Sequence, residues 1–237
     1  MRLLAVESST LTGAVALLEG DTVVAESRLN VAVTHSERLL TAVDQLLAGA
    51  RWRLGDVEAL AVAVGPGSFT GLRIGVSTMK SLAFATGKPL VGIPTLDALA
   101  WTLPFAAHPV CPILDAKKGE VYTALYRTDA GRLERLWEYR ALAPAELAAR
   151  LREAGGPVVF VGDGIGPFRE LLDAALGAAA RFAPPAHRLP SAATVGDLAR
   201  QALARGEAAD PGGLVPLYVR RSEAELGRGR ERVASRG

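Results

Sequence analysis

Two apolar segments, each ending in an acidic residue and a polar turn, limit the possible folds of this chain most. The first segment is Arg2 to Glu7 and the second is Val110 to Asp115. Each is followed within six residues by a glycine, Gly13 or Gly119, and then by another apolar segment that predicts a returning strand. The same strand-and-turn unit therefore occurs in both halves of the sequence.

The rest of the first half predicts a three-stranded meander followed by alternating helices and strands. Thr34 and Glu37 have the spacing of a helix capping box, and apolar residues with helical period follow them as far as Gly49. The predicted elements of this half are strands Arg2–Glu7, Thr12–Glu19 and Thr22–Arg28, the capped helix, strand Ala59–Val64, a helix from about Thr70 to Thr86 with Gly87 as its C-terminal cap, strand Leu90–Ile93 and a helix from about Thr95.

The second half repeats this order. Its predicted elements are strands Val110–Asp115, Gly119–Tyr126 and Arg132–Tyr139, helix Pro144–Glu153, strand Pro157–Val161, and helices Pro167–Ala175 and Thr194–Arg205. The repetition predicts an α/β protein with a duplicated ribonuclease-H-like fold, an architecture that resembles the actin, sugar-kinase and Hsp70 superfamily. Two unrelated α/β domains, or one large mixed sheet, are the alternatives that the pattern leaves open.

A chain of 237 residues is long for one domain and sufficient for two. We predict an N-terminal ribonuclease-H-like domain at 1–105 and a second, smaller one at 106–210. The C-terminal segment 211–237 is expected to pack back on the first domain and then to become disordered, because its end is rich in Gly and Arg and has few apolar residues.

Composition and charge argue against several classes of protein. A net charge of +2 is too small to indicate a nucleic-acid binder. Cys111 is the only cysteine, and His35, His108 and His187 are far apart in sequence, so neither a disulfide nor a metal site is expected. The N-terminus does not resemble a signal peptide, and no apolar segment reaches the roughly 18 residues that span a bilayer. We therefore expect a cytoplasmic protein without membrane contact.

The turns after the two repeated strands are candidates for a nucleotide cleft, because the equivalent turns face phosphates in the superfamily that the pattern resembles. Hydroxyls and backbone N–H groups suit phosphate, and an acid at a strand end could hold Mg²⁺ through water. The candidate residues are Ser8, Ser9, Thr10, Asp115, Gly162, Asp163 and Gly164. Ordinary hairpin and strand-to-helix turns explain the same residues, and no Walker motif is present, so the cleft is predicted to be weak or vestigial.

The predicted helix after Gly65-Pro66-Gly67 carries two apolar stripes. The first consists of Leu72, Val76, Met79 and Ala83, and the second of Ile74, Leu82 and Ala85. Gly71 and Gly75 each cost about 1 kcal/mol of helix propensity relative to Ala, which indicates that another backbone comes close. That backbone could belong to the same chain or to another subunit in a four-helix arrangement, and the pattern alone does not decide.

Five blocks of the sequence resemble the TsaB family, also called YeaZ. They are Leu4-Ala5-Val6-Glu7-Ser8-Ser9-Thr10, His35-Ser36-Glu37, Gly65-Pro66-Gly67-Ser68-Phe69-Thr70-Gly71-Leu72-Arg73, Asp115-Ala116-Lys117-Lys118-Gly119-Glu120-Val121-Tyr122 and Pro216-Leu217-Tyr218. The resemblance implies the duplicated fold and a role as a non-catalytic subunit. In that role the chain binds and activates the catalytic paralogue TsaD, which transfers threonylcarbamoyl from threonylcarbamoyl-AMP to N6 of the adenosine next to the anticodon in tRNA.

The resemblance also implies the partners and the contact surface. A homodimer exchanges for a heteromer with TsaD, the ATPase TsaE joins later, and tRNA is reached through the complex. In the family the two helices of the N-terminal domain form the contact surface, which implies the interface residues His35, Leu39, Val43, Leu72, Gly75, Val76, Met79 and Ala83.

TsaD holds a metal through a His-x-x-x-His pair that this sequence lacks. Hence no catalytic residue, metal ligand or tightly bound cofactor is expected, although ATP or ADP could bind in the assembled complex. An autonomous ATP-dependent phosphotransferase of the sugar- or acyl-kinase type is the alternative. A metal-dependent peptidase is a third possibility, and the absence of paired histidines speaks against it.

Overall fold

The computed structural model describes residues 1–10, 12–30, 35–129, 131–208 and 210–219. In its first half lie β1 (Arg2–Glu7), β2 (Thr12–Glu19), β3 (Thr22–Asn30), α1 (His35–Gly49), β4 (Ala59–Gly65), α2 (Phe69–Thr86), β5 (Leu90–Pro94) and α3 (Thr95–Ala100). In its second half lie β6 (Val110–Asp115), β7 (Val121–Thr123), β8 (Tyr126–Asp129), β9 (Arg132–Arg135), β10 (Arg140–Leu142), α4 (Pro144–Ala154), β11 (Val158–Val161), α5 (Ile165–Leu176), β12 (Ala180–Phe182) and α6 (Ala192–Ala204).

Two sheets with the same strand order confirm the predicted duplication. The first has the order β3-β2-β1-β4-β5 and the second β10-β7-β6-β11-β12. In both, the first strand pairs antiparallel with the next strand and parallel with the strand that follows a helix. The chain therefore has the duplicated ribonuclease-H-like fold, and the single large mixed sheet is wrong.

The second sheet differs from the prediction in its short strands. The strand predicted at Gly119–Tyr126 is interrupted, because β7 ends at Thr123 and β8 starts at Tyr126. The predicted strand Arg132–Tyr139 ends at Arg135, as β9 of a hairpin with β8. Strands β10 and β12 were not predicted, since segments of three residues carry too little periodicity to be recognised.

Alternating side chains of the first sheet are buried on both faces. Leu4 and Val6 of β1 pack with α1 and α2, whereas Leu3 and Ala5 pack with α6 on the opposite face. Full burial of one such aliphatic side chain contributes roughly 1.5–3 kcal/mol relative to leaving it in water. The apolar run that predicted a buried strand is thus the centre of a three-layer lobe.

The position of α6 corrects the predicted domain boundary at 210. This helix lies within 106–210 but packs on the first sheet through Val195 and Ala199. Ser191 caps it, and the Ser191 hydroxyl donates to Oε1 of Glu26 on β3 at 2.6 Å. The chain returns to the first lobe because α6 covers a sheet face that would otherwise expose aliphatic side chains to water.

Residues 210–219 lie along the first lobe, and we call them the C-terminal strap. The Leu217 backbone N–H donates to the Val64 carbonyl at 2.7 Å, and Leu214 and Leu217 pack on the core shared by α1 and α2. This is the packing expected for the beginning of the segment 211–237. Its predicted disordered end lies outside the described residues.

The second sheet is covered by α4 and α5 on one face. On the other face Leu96, Leu99 and Ala100 of α3 pack against Val110 and Tyr126. Helix α3 therefore lies between the two lobes. Among the described residues, no helix combines the length and apolar character that crossing a bilayer requires. The cytoplasmic location stays a prediction.

Candidate functional site

A cleft of about 330 Å³ lies where the turns of the two lobes meet. Its lining residues are Ser9, Thr10, Gly67, Ser68, Phe69, Leu114, Asp115, Ala116, Lys117, Tyr122 and Asp163. Four of the predicted nucleotide-binding residues, Ser9, Thr10, Asp115 and Asp163, are among them. The duplication brings Ser9, Thr10 and Asp115 together because the turns after β1 and β6 occupy equivalent positions in the two sheets, and Asp163 follows β11, the neighbour of β6. The volume is at the lower end of the roughly 300–1,000 Å³ of small-molecule sites.

The carboxyl of Glu7, at the end of β1, is fully buried and does not line the cleft. Its Oε1 accepts a hydrogen bond from the Ser9 backbone N–H at 2.7 Å, and its Oε2 has no hydrogen-bond partner among the described residues. Burial raises the pKa of Glu7 to about 7, in opposition to the hydrogen bonding from Ser9. Glu7, the strand-end acid that was a candidate for Mg²⁺, therefore binds the turn after β1 and does not point into the cleft.

The two acids that do line the cleft already have partners. Asp115 accepts from the Lys117 backbone N–H at 2.8 Å and from the Lys117 ammonium at 2.7 Å. Asp163 accepts from the Asp115 backbone N–H at 2.9 Å, and burial raises the pKa of this carboxyl. Because Lys117 is bound to Asp115, its charge is partly neutralised before any phosphate arrives.

The remaining predicted nucleotide residues do not line the cleft. A methyl group at Gly162, where φ is +118°, would overlap the carbonyl oxygen of Ile113, and one at Gly164 would lie 2.9 Å from the same atom. These glycines thus let the loop pass over β6. The Ser8 hydroxyl is buried and donates to the Gly71 carbonyl at 2.9 Å. Structural roles therefore account for Ser8, Gly162 and Gly164, and the nucleotide cleft stays a prediction.

The predicted interface residues on α1 and α2 require a correction. Leu39, Val43, Leu72, Val76, Met79 and Ala83 are all buried within the chain, most of them against β1, β2 and β4. They cannot form an exposed contact surface on the folded chain, because the helices use this stripe to cover the first sheet. The side chain of His35 lies outside the part of the chain that the structure describes.

The same correction applies to the glycines of α2. A methyl group at Gly71 would overlap the Ser8 carbonyl oxygen, and one at Gly75 would overlap the Ser8 hydroxyl. The backbone that the sequence predicted to lie close is therefore the turn after β1 of the same chain, and Gly75 is not a contact residue.

The outward face of α2 carries a different stripe at helical spacing. It consists of the exposed residues Phe69, Arg73, Ser77, Ser81 and Phe84, and we call it the α2 outer stripe. The phenylalanine side chains are 41% and 66% exposed, and Leu40 of α1 is 46% exposed. Two large apolar side chains at its ends, with the small residues Ser77 and Ser81 between Arg73 and Phe84, give a surface on which another helix can come close.

Comparisons with known proteins give one consistent assignment. A family model described as TsaD, tRNA N6-adenosine threonylcarbamoyltransferase, matches residues 29–228. The tRNA threonylcarbamoyladenosine biosynthesis protein TsaB of Bacillus subtilis is 35% identical over 225 residues, which are 95% of this chain and 96% of the relative. The protein of the same name from Escherichia coli is 36% identical over 168 residues, 69% of this chain and 72% of the relative.

The chain belongs to the TsaB (YeaZ) family. The solved structure of YeaZ from Pseudomonas aeruginosa is similar over 92% of this chain and 100% of the other, with a TM-score of 0.77 and 30% identity. Both lobes are therefore shared with a TsaB-family structure, and the resemblance predicted from the five sequence blocks is confirmed.

Metal chemistry has no evident site in the described part of this TsaB-family chain. Among residues 1–10, 12–30, 35–129, 131–208 and 210–219, no group of three or more His, Cys, Asp or Glu side chains is arranged to hold a metal ion. The thiol of Cys111 is buried beside Thr123, and burial raises its pKa to about 12. Such a thiol is a poor nucleophile because little thiolate forms.

The sequence prediction missed the α2 outer stripe, although the signal was present. Once Leu72, Val76 and Met79 are assigned to the core, helical geometry places Arg73, Ser77 and Phe84 on the opposite face. A phenylalanine in that position is the informative exception, since large apolar side chains are usually buried.

Proposed function

We propose that this chain acts in tRNA threonylcarbamoyladenosine biosynthesis as a non-catalytic subunit that binds and activates a tRNA N6-adenosine threonylcarbamoyltransferase, TsaD. The α2 outer stripe and Leu40 of α1 form the contact. The observation that carries the proposal is the 66% exposure of Phe84 on a helix whose opposite face is fully buried.

Similarity between the two partners supports this pairing. The family model that matches residues 29–228 describes the transferase itself, so subunit and enzyme are expected to share related lobes. Related chains can meet through equivalent faces, as in quasi-symmetric dimers, and a homodimer of this chain would then use the same stripe. A stable contact should bury roughly 1,200–2,000 Å² in total.

The cleft supports an accessory role. Glu7 faces its own turn, the Asp115 carboxylate is bound by Lys117, and Gly162 approaches β6. The Glu7 and Asp115 carboxylates, which would hold Mg²⁺ in a phosphotransferase, are thus engaged within the chain. The threonylcarbamoyl transfer is assigned to TsaD. TsaE and tRNA are expected to join the complex of TsaD with this chain.

The contact is tested by placing a charge on the α2 outer stripe. Phe84→Asp should weaken the affinity for the transferase of the same organism by about thirtyfold, because a hot-spot aromatic contributes about 2 kcal/mol or more and the new carboxylate must be desolvated. Isothermal titration calorimetry gives the affinity, and a tRNA modification assay with and without the chain gives the activation. Substitutions at Val76 or Met79 would disturb the core, so they cannot test the contact surface.

Leu171→Asp is the matched control, since Leu171 is also an exposed apolar residue of a helix, at 41%, but lies on α5 of the other lobe. It should bind and activate the transferase as the unsubstituted chain does. Equal binding by Phe84→Asp and Leu171→Asp would contradict the proposed surface. Tight ATP binding by the isolated chain, with phosphate transfer that is lost in Asp115→Ala, would favour the phosphotransferase.

A further inference from the structure

Three side chains form a fixed cluster at the N-terminal end of the α2 outer stripe. The Arg73 guanidinium carbon lies 3.9 Å from the centre of the Phe69 ring, and Arg73 Nε is 3.4 Å from the Tyr218 hydroxyl. The rings of Phe69 and Tyr218 are 5.3 Å apart at an angle of 30°. All three residues are exposed. The guanidinium is thus oriented by stacking and by a hydroxyl, at the surface of the chain.

The C-terminal strap fixes the position of Tyr218. The strap is anchored by the hydrogen bond from Leu217 to Val64, and the Lys80 ammonium donates to the carbonyls of Gly212 and Leu214, each at 3.0 Å. The Leu217 carbonyl lies so close to Gly65 that a methyl group there would be 2.7 Å away. Tyr218 therefore comes from the far end of the chain to a defined place beside Arg73.

Arg73 is charged but has no acidic partner in the described part of the chain. None of the ion pairs between described residues includes it, and its hydrogen bond to Tyr218 uses Nε only. Helix α2 contains no Asp or Glu, and its other cation, Lys80, is bound to the strap. The terminal nitrogens of Arg73 thus remain available for a ligand that the described residues do not provide.

We infer that Arg73 binds a carboxylate of the transferase, an Asp or Glu side chain presented to the α2 outer stripe. This inference rests on the proposed function, because it assigns the polar contact within the same surface. A guanidinium matches a carboxylate in a bidentate geometry, and a pre-oriented one loses less entropy on binding. Tyr218 is then a positioning residue, which makes the strap a part of the interface.

A carboxylate fits this surface better than the phosphates of RNA do. Binding to nucleic acid requires several cations along a face, and Arg73 is the single available cation of α2. It lies between apolar side chains, Phe69 and Phe84, which suit a protein partner. A single guanidinium–carboxylate pair among apolar contacts would fix the register of the two chains.

Affinity for the transferase, measured by calorimetry at low and at high salt, tests the inference. Arg73→Ala should weaken binding by at least about tenfold at low salt and should flatten the salt dependence. Arg73→Lys keeps the positive charge but not the planar guanidinium that can donate two hydrogen bonds to one carboxylate. Its affinity should therefore lie between those of Arg73→Ala and the unsubstituted chain. Tyr218→Phe should weaken binding by about threefold while the salt dependence remains, because the charge is still present.

Arg127→Ala is the control, since Arg127 is an exposed arginine of β8 whose ion pair with Glu134 lies on the other lobe. It should bind like the unsubstituted chain. If Arg73→Ala binds normally while Phe84→Asp does not, the inference is wrong and the proposed function stands. If neither substitution weakens binding, both are wrong. Loss of tRNA binding by Arg73→Ala at unchanged affinity for the transferase would assign the cluster to RNA and overturn the inference.

Discussion

The carboxyl of Glu7 is buried with one oxygen unpaired, beside a Ser9 hydroxyl that also has no partner among the described residues. Ionisation inside the chain lacks the hydration that water would provide, so the folded state prefers the protonated acid. This preference couples Glu7 to the stability of the first lobe. Glu7 therefore acts on the stability of the turn after β1 and not on the cleft.

The free energy of unfolding should therefore depend on pH through Glu7. Its pKa is raised from an ordinary 4.5 to about 7, so between these values the folded chain holds a proton that the unfolded chain releases. Stability should fall as the pH rises through this window, by roughly 3 kcal/mol in all, and then remain level with respect to Glu7. Chemical denaturation between about pH 5 and pH 8 measures the change.

Glu7→Gln is the matched variant for this measurement. It keeps the oxygen that accepts from Ser9 and cannot ionise, so its stability should be higher than that of the unsubstituted chain above pH 7 and should vary less below it. Equal pH profiles of the two chains would show that the pKa of Glu7 is not the source of the pH dependence.

Residues whose environment is local were the most predictable from sequence. Cys111 lies inside the apolar segment that predicts strand Val110–Asp115, and it is fully buried. Gly87 was predicted to cap α2 and has φ +66° in the left-handed region. The cluster of Phe69, Arg73 and Tyr218 could not be predicted in this way, because 145 positions separate Arg73 from Tyr218 and no local rule connects them.

At the scale of elements, α2 shows what a periodic pattern contains and what it omits. Its period correctly grouped Leu72, Val76, Met79 and Ala83 on one face, but it did not say what covers that face. The two glycines had the same ambiguity, since a close backbone can belong to either chain. The structure resolves it in favour of the turn after β1.

Packing of α2 on that turn can be tested by a pair of alanine substitutions. Gly75→Ala gains about 1 kcal/mol of helix propensity, yet it should lower the free energy of unfolding by about 1–3 kcal/mol, because the new methyl overlaps the Ser8 hydroxyl. Combination with Ser8→Ala removes that oxygen, so the double variant should be more stable than the sum of the single effects predicts.

Gly71→Ala provides the control for this cycle. Its methyl would overlap the backbone carbonyl of Ser8, which Ser8→Ala retains, so no compensation is expected in that pair. Thermal and urea unfolding of the variants gives the energies. Strict additivity in the Gly75 pair would mean that α2 shifts away from the turn instead of meeting the Ser8 side chain.

At the scale of the whole molecule, the duplication was predictable because each half repeats a local order of strands and helices. The return of α6 and of the C-terminal strap to the first lobe was harder to predict. The amphipathic pattern of α6 shows that one side must be buried, but both sheets offer an apolar face, and only the complete packing determines which is free. The boundary at 210 was wrong for α6 for this reason.

The two lobes are joined by a polar contact as well as by the apolar packing of α3. Oδ1 of Asp97, on α3, accepts hydrogen bonds from the hydroxyls of Tyr126 at 2.6 Å and Tyr139 at 2.7 Å. Burial raises the pKa of Asp97, and Arg135 stacks over the Tyr139 ring. One carboxylate of the first half thus accepts hydrogen bonds from two tyrosines of the second half and links the two lobes.

Removal of this carboxylate should loosen the lobes and destabilise the chain. Asp97→Ala leaves two largely buried hydroxyls without an acceptor, at a cost of about 1–3 kcal/mol for each. In that background Tyr126→Phe should cost little, whereas the same substitution in the unsubstituted chain should cost about 1 kcal/mol. Small-angle scattering should show a broader distribution of lobe distances in Asp97→Ala. An unchanged distribution together with additive energies would mean that the apolar packing of α3 alone sets the arrangement of the two lobes, and with it the shape of the cleft between them.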